Sequence, residues 1–144
     1  MAGKGDTFEN DILKLIYNAT AIANIADNAA ASPLTNLYVS LHTADPTDAG
    51  NQTSSEISYT GYARVAVART SGGWTVTGNS VSPVSTIAFG QMTAGAGGTA
   101  TYAAVGTASS GTGKILHYGA LSPTISVTNG VTPQITTAST ITED

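Results

Sequence analysis

Apolar residues near the start of the chain recur at the spacing of an α-helix. Asp6 and Glu9 lie three residues apart, as in a capping box in which Asp takes the place of Ser or Thr. The apolar residues that follow continue at intervals of three and four to about Asn28, which predicts one amphipathic helix. Pro33 disfavours helical geometry at Ser32, so we expect the helix to end before it. The apolar stripe of this helix consists of Phe8, Ile12, Leu15, Ile16, Ala19, Ile22, Ala23 and Ala26.

After Pro33 the pattern changes to the two-residue alternation of β-strands. The clearest case is the segment from Leu37 to His42, in which Leu and Val alternate with Tyr, Ser and His. Asn129-Gly130, between two valines, predicts a hairpin turn, because both residue types tolerate positive φ angles. About eight short strands are predicted in all, at residues 37–42, 63–68, 74–76, 87–89, 102–105, 115–118, 125–127 and 135–141.

These patterns predict a mainly β fold, an antiparallel β-sandwich or jelly roll with one N-terminal amphipathic α-helix. We assign the N-terminal arm and the helix to residues 1–33, and the β-sandwich domain to residues 34–144 as a single structural unit. A chain of 144 residues is long enough to bury about two-thirds of its unfolded surface. Charged residues such as Lys14 and Asp27 interrupt the most apolar stretch, so we expect no membrane span and no signal peptide.

The composition is unusual in its low charge. Only 10% of the residues are charged, compared with about 25% in an ordinary globular domain. Short Ser and Thr side chains lose little conformational entropy when they are covered, so this composition favours a surface that lies against other protein. A soluble β-domain with a Thr-rich surface would have the same composition, because Thr favours strands. The net charge of −4, with only five basic residues, argues against a nucleic-acid partner.

The segment from Thr43 to Glu56 is mostly polar and contains three carboxylates. Asp45, Asp48 and Glu56 could supply oxygen ligands to Ca²⁺, but the ligand spacing and central glycine of an EF-hand are missing. Asp45-Pro46 has instead the sequence of a type I turn. We therefore expect turn chemistry in this loop, with no metal ion and no other cofactor.

Other residues with catalytic potential do not form a recognisable motif. His42 and His117 lie on separate predicted strands and lack a third ligand for zinc. The chain has no cysteine, and no Gly-x-Ser-x-Gly segment specifies a nucleophilic serine. The glycine-rich segments lack the helix and the Lys that follow a phosphate-binding loop. We therefore expect no enzymatic activity.

Arg64 and Arg69 stand out in a chain with so few charges. Five positions apart on a regular strand, they would point to opposite faces. Arginine is enriched at protein interfaces and pairs with carboxylates through two hydrogen bonds, so each of them could be a specific contact to a partner. A solvated strand residue is the alternative for each.

Several longer strings identify a likeness to known proteins. The strings are NLYVSLHTADPTDAGNQTSSEISYTGYARVAVART (residues 36–70), GGWTVTGNSVS (72–82), GTASSGTGKILHYGAL (106–121) and VTPQ (131–134). The most specific parts are Leu-His-Thr-Ala-Asp-Pro and Tyr-Thr-Gly-Tyr-Ala-Arg. Over about three-quarters of its length, the chain resembles a family of small virion proteins from tailed bacteriophages.

This resemblance implies a structural protein of the phage virion. Members of the family are labelled tail fibre proteins, and similar small proteins act as capsid cement, or decoration, proteins. We predict a capsid cement protein that stabilises the assembled head by bridging subunits of the major capsid protein. The alternative is a tail or tail-fibre-associated structural or receptor-binding module. The implied location is the virion, on the capsid exterior, after synthesis in the cytoplasm of the bacterial host.

The predicted partners follow from the same resemblance and from the helix. We expect the chain to bind the phage major capsid protein and further copies of itself, as a homodimer or homotrimer, and to bind neither nucleic acid nor membrane. The helical stripe is too apolar to face water, since burying each large side chain contributes roughly 1.5–3 kcal/mol. The predicted oligomer or capsid interface consists of Phe8, Ile12, Leu15, Ile16, Ile22, Asp45, Asp48, Arg64 and Arg69.

Overall fold

In the part of the chain that the structure describes, the fold is mainly β, with antiparallel, sandwich-like sheets and one helix near the N-terminus, which confirms the predicted class. The computed structural model describes residues 6–22, 26 and 33–143. The predicted N-terminal arm lies outside these residues. The described elements are α1 (Asp6–Asn18), β1 (Asn36–His42), β2 (Val65–Ala68), β3 (Trp74–Thr77), β4 (Ser80–Pro83), β5 (Ile87–Ala88), β6 (Gly98–Gly106), β7 (Ile115–Val127), β8 (Gln134–Ile135) and β9 (Ile141–Thr142).

The described chain forms two compact units, each built from separate stretches. The first unit takes its residues from 1–36, 67–86 and 136–144, and contains α1 and the three-stranded sheet β3-β4-β9. The second unit takes its residues from 37–66 and 87–135. It contains the antiparallel pairs β1–β6, β6–β7 and β5–β8.

The helix is shorter than its sequence pattern predicts. It ends at Asn18, so the predicted continuation to Asn28 is wrong. Ala19 has a φ of 53°, in the left-handed region, and the amide of Thr20 donates to the carbonyl of Lys14 at 3.1 Å. The side-chain amide of Asn18 donates to the carbonyl of Trp74 at 3.1 Å. These contacts favour a helix end at Asn18, although the alanine-rich segment that follows has high helix propensity.

The buried face of α1 also differs from the predicted stripe. Leu13 and Tyr17, four residues apart, are fully buried, and Tyr17 packs edge-to-face on Trp74 with 4.8 Å between ring centroids. Three residues of the predicted stripe on α1 are only half-buried, namely Ile12, Leu15 and Ile16. Ile22 is buried, and the side chain of Phe8 lies outside what the structure describes.

Arg69 caps the C-terminal end of α1. The last turn of the helix, Leu15 to Asn18, contains no basic residue. The guanidinium of Arg69 supplies the missing cation by donating to the carbonyls of Leu15 and Ile16. It also donates to the carbonyl of Leu34 at 3.4 Å. Since the last helical carbonyls have no partner within the helix and carry partial negative charge, a cation stabilises this end.

Strand β1 occupies an inner position in the four-stranded sheet, whose order is β2-β1-β6-β7. It pairs with β6 in a register that sets Tyr38 against Gly106 and His42 against Tyr102. Leu37, Val39 and Leu41 are buried, as the alternation predicts, but so are Ser40 and His42 on the other face. The polar face of β1 is therefore part of the interior of the second unit.

The predicted hairpin at Asn129-Gly130 does not form. A turn is present, because the amide of Val131 donates to the carbonyl of Thr128 at 2.9 Å and Gly130 has a φ of 87°. However, β7 before the turn pairs with β6, whereas β8 after it pairs with β5. The turn residues are thus read correctly from the sequence, but the strand pairing around them is wrong.

Candidate functional site

The loop at residues 43–56 follows the inner strand β1, and backbone hydrogen bonds hold its two ends together and attach its far end to β1. The amide of Thr43 donates to the carbonyl of Ser55 at 2.8 Å, and the amide of Ile57 donates to the carbonyl of Leu41 at 2.9 Å. Polar side chains of this loop and of its neighbours in the second unit are buried or half-buried. We call this set the loop network, and it consists of His42, Gln52, Glu56, Tyr62 and Arg64.

The strongest interaction in the loop network is the ion pair between Arg64 and Glu56. Nε and Nη2 of Arg64 donate to the two carboxylate oxygens of Glu56 at 2.8 and 2.7 Å. Only 3% of the Arg64 side chain and 16% of the Glu56 side chain are exposed. The hydrogen bonds that Arg64 donates to Glu56 raise the pKa of Arg64, against the opposing effect of burial. A buried, bidentate pair of this kind is held in one geometry.

The remaining donors of Arg64 reach a second loop, at residues 107–114. Nη1 donates to the carbonyl of Ala108 at 3.0 Å, and Nη2 donates to the carbonyl of Gly111 at 2.7 Å. Glu56 is also fixed by Tyr62, whose hydroxyl donates to its carboxylate at 2.9 Å and accepts the amide of Leu41 at 3.1 Å. Burial raises the pKa of Tyr62, so its hydroxyl remains a donor.

Gln52 provides a second connection between the two loops. It is fully buried, and its side-chain oxygen accepts the amide of Ala108 at 2.9 Å. The backbone amide of Gln52 donates to the carbonyl of Thr112 at 3.0 Å. A Cβ atom at Gly106 would lie 2.2 Å from the Gln52 side chain, and one at Gly113 would lie 2.1 Å from it. Glycine at these two positions therefore lets the side chain of Gln52 fit between the loops.

His42 is the buried histidine of the loop network. Its Nδ1 lies 2.8 Å from the carbonyl of Ser54, which can only accept, so Nδ1 carries the proton. In the neutral ring, Nε2 then accepts from the hydroxyl of Ser40 at 2.9 Å. Burial lowers the pKa of His42, and this effect exceeds the opposing influence of the Ser54 hydrogen bond and of Glu56.

The other two carboxylates of the loop are exposed and have separate partners. Asp45 accepts the amide of Thr47 at 2.8 Å in an Asx turn. Because Thr47 has a φ of 63°, the predicted type I turn is wrong, since the third residue of that turn has a φ near −90°. Asp48 accepts the hydroxyl of Tyr118 at 2.6 Å, which raises the pKa of Tyr118 to about 12.

A family model described as "Gp80: Podophage GP4 fiber I protein gp80" matches residues 6–142. The chain belongs to this family. It is a phage virion structural protein. A search of curated proteins returned no match.

The predicted site residues of this podophage fibre-family protein have different partners within the two units. Glu56 and Arg64 pair with each other, and Asp48 contacts Tyr118. Arg69 binds helix carbonyls in the first unit. Among the described residues, no group of three or more His, Cys, Asp or Glu could hold a metal ion. Within that same part of the chain, no helix has the length and apolar character needed to cross a membrane.

We expect the lowered pKa of His42 to make folding pH-dependent. Below the ordinary histidine pKa of about 6.5, His42 binds a proton in the unfolded chain more readily than in the folded chain. The free energy of unfolding should therefore be constant above pH 6.5 and fall below it, by at most about 1.4 kcal/mol per pH unit. Urea denaturation between pH 5 and 7.5 measures this slope.

Two variants test whether His42 is responsible for this pH dependence of the free energy of unfolding. His42→Gln removes the titration, so its stability should change little across that range, although the variant is less stable throughout. His117→Gln changes the other histidine, which is half-buried on β7, and should keep the slope. An unchanged slope in His42→Gln would contradict the assignment.

Proposed function

We propose that this protein is a structural component of a podophage fibre and that the 43–56 and 107–114 loops together contact a neighbouring virion protein. The family description supports the fibre location. The observation that carries the contact surface is the loop network, because Arg64 and Gln52 fix both loops before any partner binds. A surface ordered in advance loses less entropy on association.

The outer sides of the two loops suit a protein contact. Thr43, Ala44, Thr47, Ala49, Thr53 and Ser55 are exposed on the first loop, and Ser109, Ser110, Gly111 and Thr112 on the second. These short side chains have little rotamer freedom to lose when a partner covers them. Lys, Glu and Asp are depleted at the centres of protein interfaces, and on these loops the exposed charges are limited to Asp45, Asp48 and Lys114.

We also propose that the protein has no catalytic role and needs no metal ion or other cofactor. The three carboxylates of the first loop accept hydrogen bonds from Thr47, Tyr118 and Arg64 respectively, so each is committed to turn or loop structure. The buried histidine is held between Ser40 and the Ser54 carbonyl. Such an arrangement serves to hold loops in place.

A second candidate function is capsid cement, in which the protein bridges subunits of the major capsid protein. The low fraction of charged residues, 10%, favours it, because a surface poor in Lys and Glu can cover much of a protein shell. The mechanism would be mass action, since a protein that binds only the assembled shell stabilises that state. Each copy that bridges two capsid subunits would make its second contact at a high effective concentration, so modest contacts from many copies would stabilise the shell.

Incorporation into virions tests the proposed contact surface. We expect Ser109→Lys and Ser110→Lys, combined in one chain, to reduce incorporation roughly tenfold, because two unpaired charges must be desolvated at the interface. Ser71→Lys is the matched control on an exposed turn of the first unit, and it should incorporate like the wild type. Normal incorporation of the loop variant, with an unchanged circular dichroism spectrum, would argue against these loops as the contact.

Copy number and position in the particle separate the two candidate functions. Gold-labelled antibodies should mark the fibres, and gel densitometry of purified virions should find a small number of copies per particle. Label spread over the head, with hundreds of copies, would favour the cement function and reject the fibre location.

A further inference from the structure

Asn129 and Gly130 lie in the exposed turn after β7 and form the only Asn-Gly pair of the sequence. Such a pair is chemically labile, because glycine has no side chain to obstruct an attack by its own backbone nitrogen on the preceding asparagine. The Gly130 nitrogen loses its proton to base and bonds to Cγ of Asn129, while the Cγ–Nδ2 bond breaks and ammonia leaves with a proton from solvent. Water then opens the succinimide ring to aspartate or isoaspartate.

The side chain of Asn129 differs in its bonding from those of the other described asparagines. Those five each form at least one side-chain hydrogen bond, and they are Asn10, Asn18, Asn36, Asn51 and Asn79. Among the described residues, the exposed side chain of Asn129 has no such partner. Its amide group is therefore free to turn toward the backbone nitrogen that attacks it.

The attacking nitrogen, in contrast, is held in place. The N–H of Gly130 donates to the carbonyl of Met92 at 2.8 Å, and Met92 is only 3% exposed. The carbonyl of Gly130 accepts a hydrogen bond from Nε2 of Gln91 at 2.9 Å. The nitrogen can lose its proton to base only when the turn opens locally from residues 91–92, which is also the requirement for exchange of an amide hydrogen.

We propose that Asn129 is the most labile asparagine of this chain, and that the hydrogen bonds of Gly130 to Met92 and Gln91 protect it from deamidation in the folded protein. Hydrogen bonds of ordinary strength support a reduction of the rate by about tenfold. This inference goes beyond the proposed function, because it concerns the chemical lifetime of the chain, whether the protein lies on a fibre or on the head.

The protection matters for the attachment of β8 in the second unit. An isoaspartate at position 129 would route the backbone through the side chain and lengthen the turn. The turn is followed by two backbone hydrogen bonds, from the amide of Met92 to the carbonyl of Val131 and from the amide of Phe89 to the carbonyl of Pro133, each at 2.9 Å. These bonds lead into the pairing of β5 with β8, so a longer turn would disturb their register.

Peptide mapping by mass spectrometry measures the reaction, since deamidation exchanges ammonia for water. The folded wild type and the same chain in guanidinium chloride are incubated in parallel in a mildly alkaline buffer. We expect Asn129 to react fastest of all asparagines in the unfolded chain, and at least about tenfold more slowly in the folded protein. Hydrogen exchange of the Gly130 amide, followed by NMR, should show protection of similar size, because both reactions need the same opening.

Gln91→Ala tests the contact that a substitution can remove. The side chain of Gln91 is exposed, so its loss leaves the core intact. Deamidation of Asn129 should become about twofold to tenfold faster in the folded variant and stay unchanged in the unfolded one. Gln134→Ala, at an exposed position on β8, is the matched control and should react like the wild type.

The possible results decide the proposal. Slow deamidation of Asn129 in the folded protein, together with a faster reaction in Gln91→Ala, supports it. Equal rates in the folded and unfolded chains overturn it, as does a faster reaction at another asparagine of the unfolded chain, or a rate in Gln91→Ala no higher than in Gln134→Ala. If Gln91→Ala fails to fold, hydrogen exchange of the wild type decides, and an unprotected Gly130 amide overturns the proposal.

Discussion

Replacing Arg64 by methionine is expected to lower the free energy of unfolding by about 3–5 kcal/mol. Methionine is close to arginine in length but offers no hydrogen-bond donor. The substitution leaves the Glu56 carboxylate, 16% exposed, without its cation, and it removes the donors to the carbonyls of Ala108 and Gly111. Breaking one side of a buried ion pair costs more than the pair itself contributes, because an unpaired charge stays buried.

Urea denaturation followed by far-UV circular dichroism measures this effect. The single tryptophan lies in the first unit, so its fluorescence reports on a different part of the chain from Arg64. Lys114→Met is the matched control, since Lys114 is exposed at the end of the second loop, and it should change stability by no more than about 0.5 kcal/mol. A loss below about 1 kcal/mol in Arg64→Met would mean that the ion pair does not hold the loops.

A double variant separates the ion pair from the other contacts of Arg64. Glu56→Leu with Arg64→Met removes both charges, so it should be more stable than Arg64→Met alone. It should not regain full stability, because the Tyr62 hydroxyl and the two loop carbonyls lose their partners as well. A double variant as unstable as the sum of the two single variants would contradict this coupling.

The sequence was sufficient to predict the fold class and the alternation of β1, because both depend on local patterns. Buried Leu37, Val39 and Leu41 follow the period of two. It did not predict the loop network, because that depends on contacts between distant residues. Arg64 lies 47 positions from Gly111, and Gln52 lies 56 positions from Ala108. A polar residue such as Gln52 gives no signal of burial in its own sequence neighbourhood.

The errors in the prediction of α1, namely its end and its buried face, have a similar origin. Residues 12, 13, 15, 16 and 17 are all apolar or aromatic, so helical spacing alone allows more than one buried face. The burial of Tyr17 depends on Trp74, and the helix end depends on the contacts of Asn18 with Trp74 and of Arg69 with Ile16. Trp74 and Arg69 are more than 50 positions away from the helix residues they contact. Whether Ile12, Leu15 and Ile16 contribute to an oligomer interface stays a prediction.

The second large effect is expected at Trp74, which anchors α1 on the sheet of the first unit. Only 2% of Trp74 is exposed, and the edge-to-face contact with Tyr17 joins β3 to the helix. Trp74→Ala should lower the free energy of unfolding by about 3–5 kcal/mol, through lost burial and the cavity left beside Tyr17. Burial raises the pKa of Tyr17, and this shift should shrink in the alanine variant as water reaches the ring.

Phenylalanine at the same position tests whether packing or the indole N–H is responsible. The buried Nε1–H of Trp74 has no acceptor among the described residues, so its removal forfeits no hydrogen bond within that part of the chain. Trp74→Phe keeps an aromatic face for Tyr17 and should therefore retain at least half of the stability that Trp74→Ala loses. Denaturation of both variants, followed by circular dichroism because the fluorescent residue is gone, makes the comparison. If phenylalanine proves as destabilising as alanine, an aromatic face for Tyr17 does not account for the stability that Trp74 contributes.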